Sequence, residues 1–104
     1  MKRVALFVIL LMASAATAQA QDSQAGAKWA TDVCSRCHAI STGQFRSPNG
    51  QAPSFVELAN TPGMTSAALT VALTTPHAGM PMFVLTPEQR QDIIAYILSL
   101  KRNQ

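Results

Sequence analysis

Residues 34–38 of this chain, Cys-Ser-Arg-Cys-His, combine two thiols and an imidazole at a spacing that suits one kind of chemistry. Two thiols three positions apart can each add to one vinyl group of a haem, and the adjacent histidine can then bind the iron as its fifth ligand. The motif therefore predicts one covalently bound haem, with Cys34 and Cys37 as attachment residues and His38 as an axial ligand.

Three other uses of the two cysteines fit less well. A thioredoxin-like redox pair would stand beside a βαβ pattern, which the chain lacks. A structural zinc ion needs four ligands, and adding His38 and His77 completes the set only on paper, since the two histidines of such a site normally stand a few residues apart. A disulfide between Cys34 and Cys37 would close a very small loop and would stabilise little.

The group on the other side of the iron decides what the haem can do. A thioether raises the reduction potential and closes the iron to small molecules, whereas an open position permits ligand binding. Four side chains are candidates for this position: Met64, His77, Met80 and Met82. Met64 follows a Pro-Gly break at the start of a helix and is the poorest candidate. Met80 stands between Gly79, which permits close backbone approach, and Pro81, which fixes φ.

The first 20 residues have the pattern of a secretory signal peptide. Lys2 and Arg3 precede an apolar run over 4–16, and the small-residue triplets at 16–18 and 18–20 suit cleavage. A membrane anchor is the alternative, but this run of 13 residues is short of the ~20 needed to span a bilayer. We expect residues 1–20 to be the signal peptide and residues 21–104 to be one domain, exported to the periplasm of a Gram-negative bacterium.

The mature chain is small and nearly neutral. Its 84 residues suffice for one domain. A domain of this size usually needs a stabilising element besides its core, such as a cross-link or a bound cofactor, and a covalent haem would supply one. Without Lys2 and Arg3, six basic residues face five acidic ones, which argues against nucleic acid or an anionic membrane as a partner. Since no nucleophile with a paired base, phosphate loop or carboxylate pair occurs, we expect no catalysis and no small-molecule substrate.

Four helices are predicted, and no stretch alternates as a β-strand does. The first spans 24–37, is capped by Asp22 or Ser23, and carries the haem motif at its end. A short helix ending near Asn60 begins with the capping box of Ser54 and Glu57.

The two later helices are predicted to follow Thr65 and Thr86 as caps. The stripe on the third comprises Ala68, Leu69, Ala72 and Leu73. The last helix has Pro87 at its first position, Gln89 for a capping box, and a buried face consisting of Ile93, Ile94, Ile97, Leu98 and Leu100. The fold class is all-α.

The segment over 40–52 is a loop by composition, rich in glycine, serine and proline. A polar loop at this place could reach the haem propionates. Arg46 is its candidate for propionate contact, although a lone arginine in a loop is usually only solvated.

The mature chain resembles the class I cytochromes c over nearly its whole length. The resemblance rests on Gly26 eight residues before Cys34, the C-x-x-C-H run, Ala52-Pro53 with Phe55, Pro76-His77, Met80-Pro81 with Phe83, and the segment from Leu85 to Ile97. It departs from the larger members in lacking a lysine-rich face. It also carries Ala30, beside Trp29, where an aromatic residue is usual.

The resemblance implies a fold of three to four helices packed around one haem c. In that family the methionine before the proline is the sixth ligand, which corresponds to Met80. The proline after the haem loop, here Pro53, offers its carbonyl to the free ring nitrogen of the ligand histidine. Tyr96 would lie where the last helix crosses the first near Gly26.

The function implied is a periplasmic single-electron carrier with redox proteins as partners, such as a dehydrogenase, an oxidase or a membrane cytochrome complex. Membrane contact would occur only through such partners, and residues 77–83 with Ala39 and Ile40 form the expected docking surface. One alternative is a haem subunit bound permanently to a periplasmic dehydrogenase or oxidase. Another is a gas-binding or sensor haem protein.

Overall fold

The computed structural model describes residues 22–102, which form four helices. They are α1 (Ser23–Val33), α2 (Phe55–Asn60), α3 (Ser66–Thr74) and α4 (Pro87–Ser99). Apart from one isolated antiparallel bridge between His77 and Met80, the described residues contain no β-structure, so the all-α prediction is confirmed. The predicted signal peptide, residues 1–20, lies outside the described residues. None of the four helices has the length and apolar character needed to cross a membrane.

The caps predicted from the sequence define the helix starts. The Asp22 carboxylate accepts hydrogen bonds from the Gln24 and Ala25 amides at 2.9 and 3.1 Å. In both capping boxes, at the starts of α2 and α4, the N-cap hydroxyl accepts from the amide three residues on, and the side chain of that residue accepts from the N-cap amide. The Thr65 hydroxyl accepts from the Ala68 amide at 3.1 Å and starts α3. Each cap satisfies amides that the first turn of a helix would otherwise leave unpaired.

Helix α1 ends four residues earlier than predicted, at Val33 instead of Cys37. The chain tightens there, since the Cys37 amide donates to the Cys34 carbonyl three residues back, at 3.1 Å. The His38 amide donates to the same carbonyl at 3.0 Å. The haem motif is therefore a hydrogen-bonded turn that follows directly on α1. The spacing of its apolar residues is close to that of one more turn of helix, so the sequence pattern does not distinguish the two.

The main packing contact is the crossing of α1 and α4. Gly26 is buried at this crossing, and a Cβ placed on it would overlap the Asp92 carbonyl oxygen and lie 2.8 Å from the Tyr96 Cβ. The expected position of Tyr96 near Gly26 is thus confirmed. The crossing is fastened at its edge by the Asp22 amide, which donates to the Asp92 carboxylate at 2.9 Å.

The core lies between α4 and the other three helices. Its buried members are Ala30, Cys34, Ile40, Phe55, Ala59, Leu69, Ile93, Ile94 and Ile97. Of the four residues in the stripe predicted on α3, only Leu69 is buried, and Ala68 and Ala72 are exposed. Ala72 lines a small gap beside Met80 and Phe83. Leu73 lines the same gap and also packs against the core.

Candidate haem site

A cleft with a volume of about 700 Å³ separates the haem motif from the loop before α4. One wall carries Cys34, Cys37, His38 and Pro53, and the other carries His77, Met80 and Phe83. The remaining lining residues are Asp32, Val33, Arg36, Asn49, Gln51, Ala52, Ala78, Gly79 and Pro81. The volume falls within the roughly 300–1,000 Å³ typical of cofactor and ligand sites.

Both cysteines of the motif are free thiols on the same wall of the cleft. Cys34 is buried at the end of α1, and this burial raises the pKa of its thiol to about 11. A thiol with so high a pKa stays protonated at neutral pH, and a protonated thiol is a poor nucleophile for disulfide exchange. Cys37 lies three residues on, half-buried, where the turn directs it to the same cleft.

His38 is buried, and its ring is fixed by one short hydrogen bond. The Nδ1 atom lies 2.6 Å from the Pro53 carbonyl oxygen. Since a carbonyl can only accept, Nδ1 carries the proton and donates it, which leaves the Nε2 lone pair free to bind a metal. A hydrogen bond of this kind orients a ligand histidine and increases its basicity.

The backbone on either side of His38 is held by three separate segments. We name residues 37–40 the ligand segment. From the loop after it, the Asn49 amide donates to the Cys37 carbonyl at 3.1 Å. Two side chains of the same loop accept: the Ser47 hydroxyl accepts from the Ala39 amide at 3.0 Å, and the Gln44 side-chain oxygen accepts from the Ile40 amide at 2.9 Å. The start of α2 contributes the Phe55 amide to the Ala39 carbonyl at 2.9 Å. Helix α4 contributes the Tyr96 hydroxyl to the Ile40 carbonyl at 2.5 Å.

The ring of Phe55 fills the space behind the histidine. It is buried, with its centroid 5.5 Å from that of His38 and 6.3 Å from that of Tyr96, both rings being tilted to it. Tilted aromatic pairs at such distances are favourable. His38 is therefore braced through Phe55 against α4, in addition to its hydrogen bond to Pro53.

The opposite wall is a loop closed by a tight turn. The Met80 amide donates to the His77 carbonyl at 3.3 Å, and Gly79 has a φ of +80°, as the third residue of a type II turn requires. Met80 is half-buried and faces the cleft, as does His77. Met82, 51% exposed, borders only the small gap beside the cleft, and Met64 packs on the core.

Arg46, the candidate for propionate contact because of its position in a polar loop, is not brought to the cleft. It lies exposed, next to Ser47, whose hydroxyl is turned inward to the Ala39 amide. Contact of Arg46 with a haem propionate therefore stays a prediction. The arginine that does line the cleft is Arg36, inside the haem motif.

Sequence reasoning missed the residues that fasten the ligand segment. The sequence predicts only a loop for Gln44, Ser47 and Asn49, and it indicates no partner for the Tyr96 hydroxyl. The Asn49-Gly50 pair signals a turn, but its hydrogen bond to the Cys37 carbonyl depends on tertiary placement that no local pattern gives.

The donor set of the cleft fits a covalent haem. Two thiols and an imidazole with a free Nε2 share one wall, a thioether faces them from the other, and Pro81 and Phe83 supply apolar contact for a macrocycle. Cys34 and Cys37 would hold the haem and His38 would bind its iron.

Comparison with known proteins gives one matching family and one clear relative. The family model described as cytochrome c matches residues 23–101. A protein named cytochrome c-552, from Bradyrhizobium diazoefficiens, is 36% identical over 94 residues, which covers 90% of this chain and 89% of that protein. No solved structure gave a significant match.

Proposed function

Because the chain belongs to the cytochrome c family, whose members carry covalently bound haem c and transfer electrons, we propose that it is a periplasmic single-electron carrier with His38 and Met80 as iron ligands. The cofactor is one haem c, held through Cys34 and Cys37. The protein acts with redox partner proteins and is an electron-transfer protein, not a catalytic enzyme.

The observation that carries the ligand assignment is the facing arrangement of His38 and Met80. The hydrogen bond from Nδ1 to Pro53 leaves Nε2 as the free nitrogen on one wall, and Met80 lines the other. A bound haem supplies a one-electron couple whose potential a thioether ligand raises. Of the three other candidates, Met64 and Met82 do not line this cleft.

The residues around the cleft suit electron transfer with little rearrangement. His38 is held by Pro53 and Phe55, and these contacts would keep it in place when a bound iron changes oxidation state. Pro81 and Phe83 line the opposite wall, where they would shield part of a bound haem from water. With His38 and Met80 as its ligands, a bound iron would have no open position for a substrate.

The loop before α4 supports docking of a partner beside the haem. Met82 and Phe83 are 51% and 44% exposed, and Val84 is fully exposed. These side chains are continuous with the wall of the cleft that carries Met80 and Phe83. A small apolar surface beside the cofactor suits the weak, short-lived interfaces of redox proteins.

Export to the periplasm is supported by the N-terminal sequence. A basic start, an apolar run and small-residue triplets precede the domain. Thioether formation also suits a compartment outside the cytoplasm, where a dedicated apparatus would keep Cys34 and Cys37 reduced until haem is attached.

The experiment that tests the ligand assignment compares two methionine variants of the haem-loaded protein. Met80→Ala should remove the weak sulfur-to-iron charge-transfer band of the oxidised protein, lower the reduction potential and let the reduced iron bind carbon monoxide. Met82→Ala should change none of these. A band that survives loss of Met80 and disappears with Met82 would reverse the assignment, and a wild-type protein without the band would refute ligation by methionine.

A further inference from the structure

His77 and Met80 stand opposite each other across the turn on the cleft wall. Their backbones form an antiparallel bridge, with the Met80 amide donating to the His77 carbonyl at 3.3 Å. Residues directly paired in such a bridge project to the same side, with Cβ atoms roughly 4.5–5.5 Å apart. An imidazole and a thioether therefore lie side by side on one wall, and both line the cleft.

The hydrogen bonding of His77 leaves it ready to bind a metal. Its Nδ1 lies 3.1 Å from the Thr75 carbonyl oxygen, which can only accept, so Nδ1 is protonated and Nε2 carries the lone pair. Among the described residues, Nε2 has no hydrogen-bond partner. This is the same arrangement that His38 makes with Pro53 on the facing wall.

The turn leaves room for the imidazole to move. His77 is exposed and takes no part in the core. Gly79 has a φ of +80°, and apart from its two chain neighbours no heavy atom lies within 4 Å of the place where its Cβ would stand. A side chain on such a turn can approach the position of its neighbour without disturbing a packed element.

We propose that His77 is a reserve axial ligand, which binds the oxidised iron through Nε2 whenever the Met80 sulfur is lost from it. The inference rests on the proposed ligation by His38 and Met80. In the exchange the iron–sulfur coordinate bond breaks and an iron–nitrogen bond forms from the Nε2 lone pair. No proton or electron moves, because Nδ1 keeps its proton. Imidazole suits oxidised iron, which is a harder ion than reduced iron.

As a consequence, the oxidised iron keeps two protein ligands when the Met80 sulfur no longer binds it. Oxidation of a methionine to its sulfoxide is a common lesion that removes the thioether donor. With His77 beside it, the iron passes from one protein ligand to another and does not open to water or peroxide.

The test uses the oxidised, haem-loaded Met80→Ala protein at neutral pH. Its electron paramagnetic resonance and visible spectra should be those of a low-spin haem iron with two axial imidazole ligands, from His38 and His77. Met80→Ala combined with His77→Ala should give a high-spin iron with bound water. The matched control, Met80→Ala combined with Met82→Ala, should stay low-spin, since it removes a neighbouring side chain of the same loop and keeps His77.

Azide binding supplies a second measurement. If His77 is bound to the iron in about nine-tenths of the Met80→Ala molecules, the apparent affinity for azide is about tenfold weaker than that of an open iron. Removal of His77 should therefore strengthen azide binding about tenfold. A low-spin iron in the protein lacking both residues, a high-spin iron in Met80→Ala alone, or equal azide affinities with and without His77 would each overturn the proposal. The sulfur band of the wild-type protein tests ligation by Met80 separately, so the two failures are distinguishable.

Discussion

Replacing Gly26 by alanine tests the crossing of α1 and α4 directly. The added Cβ would overlap the Asp92 carbonyl oxygen and lie 2.5 Å from the Asp92 carbonyl carbon and 2.8 Å from the Tyr96 Cβ. Ordinary contacts of a Cβ begin at 3.4 Å. Two of the three close atoms belong to the backbone of α4, so no side-chain rotation relieves the overlap and α4 must move by roughly an ångström.

The sign of the effect distinguishes this crossing from an exposed helical position. On an exposed helix, Gly→Ala would stabilise the fold by about 1 kcal/mol through helix propensity. At Gly26 we expect overpacking to outweigh this gain and to lower the free energy of unfolding by about 2 kcal/mol, within the range for overpacked cores. For a domain of this size, about 4–8 °C per kcal/mol makes the fall in Tm roughly 10 °C.

The measurement is thermal unfolding of the oxidised, haem-loaded protein by far-ultraviolet circular dichroism. The matched control is Gly43→Ala, because a Cβ at Gly43 meets nothing within 4 Å and its φ is not positive. That variant should be unchanged, or more stable by up to about 1 kcal/mol. If Gly26→Ala melted at or above the wild-type temperature, the close approach of α1 and α4 at this residue would be refuted.

Two further predictions concern the cofactor and its support. The double variant Cys34→Ser, Cys37→Ser should lose the haem-dependent peroxidase stain after denaturing electrophoresis, and a retained signal would contradict attachment through these thiols. Tyr96→Phe should cost about 1 kcal/mol of stability, because the Ile40 carbonyl loses the hydroxyl that donates to it at 2.5 Å. Burial raises the pKa of Tyr96 above its ordinary value of 10.0, so the folded protein keeps this proton longer than the unfolded chain. The stability contributed by Tyr96 should therefore be complete below pH 10 and fall as the pH rises above it, a decline that urea titrations should find smaller in Tyr96→Phe.

The helix starts and the haem motif could be predicted because their signals are local. Ser54 with Glu57, and Thr86 with Gln89, satisfy each other's backbone within four residues, so the sequence alone contains both partners. The end of α1 could not be placed in this way. In the turn that holds Cys34 and Cys37, the apolar residues keep nearly helical spacing, although the Cys37 amide bonds to the carbonyl three residues back and not four.

The support of the ligand segment could not be predicted, because its partners are far apart in sequence. Tyr96 and Ile40 are separated by 56 positions, and Ser47 is set against Ala39 by the path of a loop without periodicity. In that loop the neutral hydroxyl of Ser47 makes a structural contact, which its sequence neighbourhood does not signal. The three uncharged side chains Gln44, Ser47 and Asn49 look like any polar loop until the chain is folded.

The two walls of the cleft differ in how firmly they are held, and this difference bears on the proposed exchange of ligands. The wall with His38 is bonded to a loop, to α2 and to α4, so moving the histidine breaks several hydrogen bonds, each contributing about 0.5–1.5 kcal/mol. On the other wall, the hydrogen bonds of His77 and Met80 stay within residues 75–80. Moving Met80 therefore breaks one backbone bond and leaves the core intact. Under the proposed ligation by His38 and Met80, we therefore expect His77 to replace the movable methionine and not the firmly held histidine.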